Sequence, residues 1–214
     1  MRNTLFAITE WITRLAYINI LWLGFTLLGL IVFGLFPATI AMFTITRKWI
    51  MGDTDLPVFT TFWQAYKQEF LKSNLFGLIF YFIGFVFFIN TTFLLTVDAG
   101  SFFNTIKIPL YVAMIALALI MVYVIPTYVH YDLKFLQIWK NAFLIMLIHP
   151  LHNIAIVVGS VAVVYLMLRF PATLVFFCGS VPTFIIMGIC YQAFKRVAMK
   201  QEQWAENEAE TSAN

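Results

Sequence analysis

The chain has 214 residues, of which 62% are hydrophobic and 11% charged, and its mean hydropathy is +0.90. An ordinary soluble domain carries about 25% charged residues, so this chain has more apolar surface than one soluble core could hide. Its formal net charge of +3 comes from thinly spread basic residues that form no groove-reading patch, which argues against a nucleic-acid binder and for a polytopic membrane protein.

The first fourteen residues, MRNTLFAITEWITR, read as a retained segment: Glu10 and Arg14 interrupt the apolar run, and no small-residue cleavage site follows. Leu5, Phe6, Trp11 and Ile12 set against Asn3, Thr4, Glu10 and Arg14 give an amphipathic start that leads into the first span. That span, Tyr17–Phe36, is uncharged and twenty residues long, enough for ~30 Å of helix, and Pro37 is expected to end or kink it. Ala38–Ile50 then leaves the bilayer obliquely with Arg47 and Lys48 among the headgroups, and Gly52, Asp53, Asp55 and Pro57 make a turn.

From Val58 the apolar residues Phe59, Phe62, Trp63, Tyr66 and Phe70 recur at helical spacing, with Thr60, Thr61, Gln64, Lys67 and Gln68 opposite. This is the clearest amphipathic helix in the chain, expected to lie on the membrane or on the cytoplasmic end of the bundle. A second span runs from about Leu75 to Leu95, a loop from Thr96 to Lys107, and a third span from about Ile108 to Tyr128, kinked by Pro126. Phe135, Ile138, Trp139 and Ala142 mark a second amphipathic piece. It runs into a fourth span, 142–168, that is either kinked at Pro150 or begins near Leu151. Arg169, Phe170 and Pro171 form a turn before the fifth span, Ala172–Tyr191.

The expected architecture is therefore all-α: a helical membrane bundle of about five transmembrane helices with amphipathic interfacial helices. Residues 1–200 form one integral-membrane domain, and residues 201–214 a polar cytoplasmic tail whose end lacks fixed structure. Basic residues favour one side, which sets the C-terminus in the cytoplasm and, for five spans, the N-terminus outside the cell membrane. Cys178 and Cys190 read as small buried hydrophobes. An apolar run meets Pro-Ala-Thr at Pro37 and Pro-Thr at Pro126 and Pro182, each followed by an aromatic segment with Lys. Tolerance of Pro and Thr near helix ends in lipid and duplication of a span-plus-surface-helix unit both account for it.

The segments GLFPATIAMFTITRKWIMGD and FWQAYKQEFLKSNLFGLI, with the later IPTYVHYDLKFLQIWKNAF, resemble the YesL-like family of bacterial integral membrane proteins, a family of unknown function. The resemblance covers nearly the whole chain. Several members of that family, mostly from Gram-positive bacteria, are encoded near genes for uptake or breakdown of plant polysaccharides. The resemblance thus implies an accessory role in carbohydrate uptake, with no catalytic residues to carry across.

The residues themselves hold no nucleophile elbow, zinc-binding helix motif, phosphate loop or metal-spaced Cys pair, so no enzyme and no cofactor is expected. A polar path through the bundle would draw on Asn90, His130, Asp132, His149 and His152. The bland alternative is that these groups satisfy helix ends, with Asn19, Asn74, Asn90 and Asn153 tying helices together. Phe59, Phe62, Trp63, Tyr66, Lys67, Phe70 and Trp139 would form a face for a partner, such as a carbohydrate transporter subunit, or simply an aromatic belt in the lipid bilayer. The leading expectation is an accessory or scaffolding membrane protein. A small-solute or ion transporter or channel, framed by helices broken at Pro37, Pro126 and Pro150, is the alternative.

Overall fold

A computed structural model describes residues 4–96 and 101–213. Among them are eight helices and no strand: α1 Thr4–Leu28, α2 Val32–Ile50, α3 Val58–Thr96, α4 Ser101–His130, α5 Phe135–Ile148, α6 Pro150–Arg169, α7 Ala172–Phe177 and α8 Ser180–Ala213. Four stretches, Phe6–Leu28, Val58–Thr96, Lys107–His130 and Pro150–Arg169, are long and apolar enough to cross a membrane. Their outward residues, such as Leu78, Phe82, Phe85 and Phe88 on α3 and Val158, Val161 and Tyr165 on α6, stand exposed, as a surface solvated by oil requires. The fold is an all-α membrane bundle. Asp98 and Gly100 of the expected α3–α4 loop, and Arg2, lie outside the described residues.

The expected span Tyr17–Phe36 divides in two. Gly29 and Gly34 lie so close that a Cβ on Gly29 would sit 2.3 Å from the Gly34 Cα, and one on Gly34 would sit 2.4 Å from the Thr26 carbonyl oxygen. This contact folds α2 back along α1. Leu30 and Ile31 adopt φ of 57° and 65°, a left-handed conformation that L side chains disfavour, most of all a β-branched one. The turn holds because the Ile31 amide donates to the Thr26 carbonyl at 2.9 Å and the Gly29 amide to the Phe25 carbonyl at 3.1 Å. Trp22 of α1 donates to the Thr39 hydroxyl of α2 at 3.0 Å, farther down the hairpin.

Pro37 does not end a helix: it lies inside α2, which continues to Ile50. α4 likewise passes through both Pro109 and Pro126. The three proline contexts proposed as an echo differ, with Pro37 and Pro126 in helix interiors and Pro182 in the first turn of α8.

The amphipathic segment and the second expected span are one 39-residue helix, α3, about 58 Å long at ~1.5 Å per residue. It crosses the tip of the α1–α2 hairpin. Phe25 sits among Phe62, Trp63 and Tyr66 with ring centroids 5.0–5.4 Å away. Farther along, Gly77 admits the Phe36 ring, which would lie 2.5 Å from a Cβ there. A second core gathers Tyr123, Ile138, Ala142, Met187, Cys190 and Phe194 from α4, α5 and α8. The expected fifth span is interrupted at Cys178 and Gly179, between α7 and α8. The tail expected to lack structure continues α8 as helix to Ala213.

The hairpin also changes where the N-terminus lies. Arg14 of α1 reaches the Thr54 carbonyl at 2.6 Å, and Trp11 meets Trp49 edge-on at 5.9 Å. The start of α1 is therefore beside the loop after α2, at the end of the bundle that carries Arg47 and Lys48. A charge count that takes Tyr17–Phe36 as a single crossing sets it opposite those residues.

Candidate functional site

An interruption of a helix frees backbone groups that lipid cannot satisfy, and at Pro37, Pro150 and the α7–α8 junction side chains meet such groups. Proline at position 37 has no N–H to offer the carbonyl four residues earlier, at Phe33. Asn74 of α3 supplies the missing donor, with its amide nitrogen 3.1 Å from the Phe33 oxygen. Pro150 leaves the Met146 carbonyl in the same position, and Asn153 donates to it at 2.9 Å while accepting the Tyr123 hydroxyl at 2.8 Å. His149 Nδ1 lies 3.1 Å from the Ile145 carbonyl; since that oxygen only accepts, Nδ1 carries the proton. At the α7–α8 junction, the completely buried Asn19 donates to the Val175 carbonyl at 2.8 Å and accepts the Gly179 and Ser180 amides at 2.8 and 3.0 Å. Tyr66 and Tyr81 donate to the Phe25 and Val32 carbonyls flanking the hairpin turn.

The residues considered for a polar path do not converge. Asn90 donates to the Val86 carbonyl of its own helix at 2.8 Å. His149 and His152 pack edge to face, 5.1 Å between centroids, at the α5–α6 break, and among the described residues no cluster of three His, Cys, Asp or Glu side chains suited to a metal occurs. His149 lines a 390 Å³ groove with Tyr131, Asn141, Lys200 and Trp204. His130 and Asp132 belong to a separate cavity.

That cavity, about 640 Å³, opens at the basic end between α2, α3 and the α4–α5 connection. Arg47, Lys72, Glu69, Tyr128, His130 and Asp132 form its polar wall, and Ile40, Leu75, Phe76, Phe135 and Ile138 its apolar one. Arg47 comes from the last turn of α2, where a cation complements the negative end of the helix dipole. Its Nε donates to His130 Nδ1 at 3.2 Å, which makes that nitrogen an acceptor and the ring neutral. The His130 ring is held by Tyr131, Tyr191 and Phe194 at 4.7–5.7 Å. The Tyr128 hydroxyl donates to the Glu69 carboxylate in a short hydrogen bond. Burial pushes the Tyr131 phenol up from its ordinary pKa, so it faces the cavity as a neutral hydroxyl. Sequence reasoning did not pick out Glu69 and Lys72 as site residues. The available signal was an acid and a base three residues apart, which share a helix face.

The candidate partner face divides by burial. Phe62 and Tyr66 are core residues, buried against Phe25, while Phe59 is 52% and Trp63 38% exposed. Lys67 lies over the Trp63 ring at 4.8 Å, and Trp63 stacks on Tyr66. Phe70 meets Tyr66 at 5.6 Å. Trp139 packs on Phe80 at 6.0 Å, and its buried indole N–H has no hydrogen-bond partner among the described residues.

Residues 15–91 match the family described as "Protein of unknown function, DUF624". The chain is 36% identical over 194 residues to "Uncharacterized protein YesL" of Bacillus subtilis (strain 168), covering 90% of each chain. It is 36% identical to "Uncharacterized protein YteU" of the same organism, over 88% of this chain and 84% of that one. To "Uncharacterized protein YesV", also of Bacillus subtilis, it is 31% identical over 94% and 96% of the two chains. No solved structure matches it.

Proposed function

The chain belongs to the YesL-like family, and from that membership we propose that it is a non-catalytic accessory protein of the cell membrane, a scaffold for a carbohydrate-uptake system. The observation that carries the scaffold reading is the occupation of the broken helices. The freed carbonyls and amides at Phe33, Ile145, Met146, Gly179 and Ser180 are met by Asn74, His149, Asn153 and Asn19. In transporters built on broken helices the freed backbone groups coordinate the cargo; here protein side chains take that place. Exposed Phe59 and Trp63, beside solvent-facing Lys67, are the part of the aromatic stripe available to a partner. The link to carbohydrate rests on the family resemblance alone.

In this reading both termini face the cytoplasm. Arg14, Arg47, Lys72 and Lys200 gather at one end through the contacts of α1, α2, α3 and α8. Lys107 and Arg169 stand near the far ends of α4 and α6, which sharpens the basic asymmetry that orients membrane proteins.

Affinity purification in mild detergent tests the scaffold. A carbohydrate transporter subunit should co-purify with the chain and be lost on Phe59→Ala plus Trp63→Ala. Reconstituted protein should move no sugar or ion into liposomes. Solute uptake that disappears on changing Asn90 or His152 would establish the transporter alternative instead.

A further inference from the structure

The cavity at the basic end holds opposite charges that do not meet. Arg47 and Glu69 are both half-buried on facing helices, α2 and α3, yet no ion pair joins them among the described residues. Arg47 bonds His130 through Nε alone, so its two terminal nitrogens have no partner among the described residues. Glu69 accepts the Tyr128 hydroxyl and retains further acceptor capacity. Lys72 and Asp132 repeat the arrangement at the exposed rim. Half-buried charges held apart are costly, and a ligand that reaches both would offset that cost. A simple anion would meet repulsion from Glu69 and Asp132, and a simple cation from Arg47 and Lys72. A neutral polyol would leave all four charges uncompensated. A zwitterion complements both signs, and a guanidinium with two free nitrogens matches two phosphate oxygens at once. The other wall is apolar, through Ile40, Leu75, Phe76, Phe135 and Ile138, at the end of the bundle where the apolar stretch Lys107–His130 stops.

We propose that this cavity binds a phosphoethanolamine group, with the phosphate on Arg47 and Lys72 and the ammonium on Glu69 and Asp132. Two sources supply that chemistry, the headgroup of phosphatidylethanolamine and free phosphoethanolamine, and the apolar wall favours the lipid. The site is independent of whether the chain scaffolds a transporter.

Thermal unfolding of the full chain in a non-ionic polyoxyethylene detergent tests it. The probes are short-chain phosphatidylethanolamine, short-chain phosphatidylglycerol, free phosphoethanolamine and glucose. Phosphatidylethanolamine should raise Tm, while phosphatidylglycerol and glucose should not. An equal rise with free phosphoethanolamine assigns the site to the soluble form of the same group. Arg47→Gln and Glu69→Gln should each weaken the apparent affinity at least roughly tenfold. Should those half-buried variants fail to fold, Lys72→Gln plus Asp132→Asn, both at the exposed rim, carries the test. An unchanged response in that double variant, or an equal response to phosphatidylglycerol or glucose, overturns the proposal.

Discussion

The amide of Gly179 donates to the Asn19 side-chain oxygen at 2.8 Å across 160 residues of sequence. The Ser180 amide shares the same oxygen. A residue of α1 thus serves as the N-terminal cap of α8, and the first and last long helices are locked at a point where both are buried. Asn19→Leu keeps the volume and removes the cap. It leaves two amides and the Val175 carbonyl without partners, at a cost of about 1–3 kcal/mol. The expected readouts are a lower Tm in detergent and new proteolytic cleavage near Cys178.

Gly34, at the hairpin, and Gly24, on α1, give opposite predictions. Gly34→Ala pushes a methyl group into the Thr26 carbonyl oxygen, a backbone atom that cannot swing aside. We expect a loss of about 1–3 kcal/mol or failure to accumulate as folded protein. At Gly24 nothing lies within 4 Å of a new Cβ. There Gly24→Ala should be neutral or stabilise by up to about 1 kcal/mol through helix propensity. Equal effects at both sites, measured by thermal unfolding, would contradict the close backbone contact at the turn.

Pro37 and Asn74 should be coupled. Asn74→Leu removes the donor to the Phe33 carbonyl and should cost about 0.5–1.5 kcal/mol. In a Pro37→Ala background the new backbone N–H reaches that carbonyl, and the same Asn74→Leu change should cost close to nothing. A double-mutant cycle measures the difference. Additive effects would show that the bond to the Phe33 carbonyl contributes nothing, leaving Asn74 its bond to the Phe70 carbonyl and its packing.

Packing and docking separate within the aromatic stripe. Phe62→Ala empties a fully buried site and should destabilise by about 3–5 kcal/mol. Phe59→Ala and Trp63→Ala, at partly exposed positions, should each cost well under the Phe62→Ala loss, Trp63 giving up its ring contacts with Phe25, Tyr66 and Lys67, and should reduce the recovery of a bound transporter subunit. Lys67→Ala removes a surface cation–π contact worth about 0.5–1 kcal/mol.

Side-specific labelling checks the arrangement of the ends. With Cys178 and Cys190 replaced by Ala, Thr9→Cys and Gln203→Cys should react from the same side of intact cells or inverted vesicles. Thr105→Cys, near the far end of α4, should react from the other. Opposite behaviour of positions 9 and 203 would restore the single crossing of Tyr17–Phe36.

Solvent class was legible in the sequence because it depends on composition over long windows, and so was the α3 stripe, because Phe59, Phe62, Trp63, Tyr66 and Phe70 keep helical spacing. The interruption at Pro150 was legible from the proline itself. The reversal at Gly29 was not: hydropathy sums over twenty residues and is blind to backbone direction, and Leu30 and Ile31 are residue types that avoid the conformation they adopt. The pair Gly29 and Gly34 was the available trace of close approach. Pro37 misled in the other direction, since a donor 37 residues away makes it tolerable within α2. The cavity was half visible: His130 and Asp132 were picked out, but that α2 and α3 bring Arg47 and Glu69 to one cavity with them is a tertiary contact no local pattern records.

The α1–α2 hairpin simplifies the delivery of this chain into its membrane. In the proposed orientation both legs return to one side, and the exposed apolar crest from Leu27 to Phe33 lies deepest. Arg14, Arg47 and Lys48 never have to be pushed across. α1 and α2 thus stand as a pair, and the 39-residue α3 lies against the surface they share.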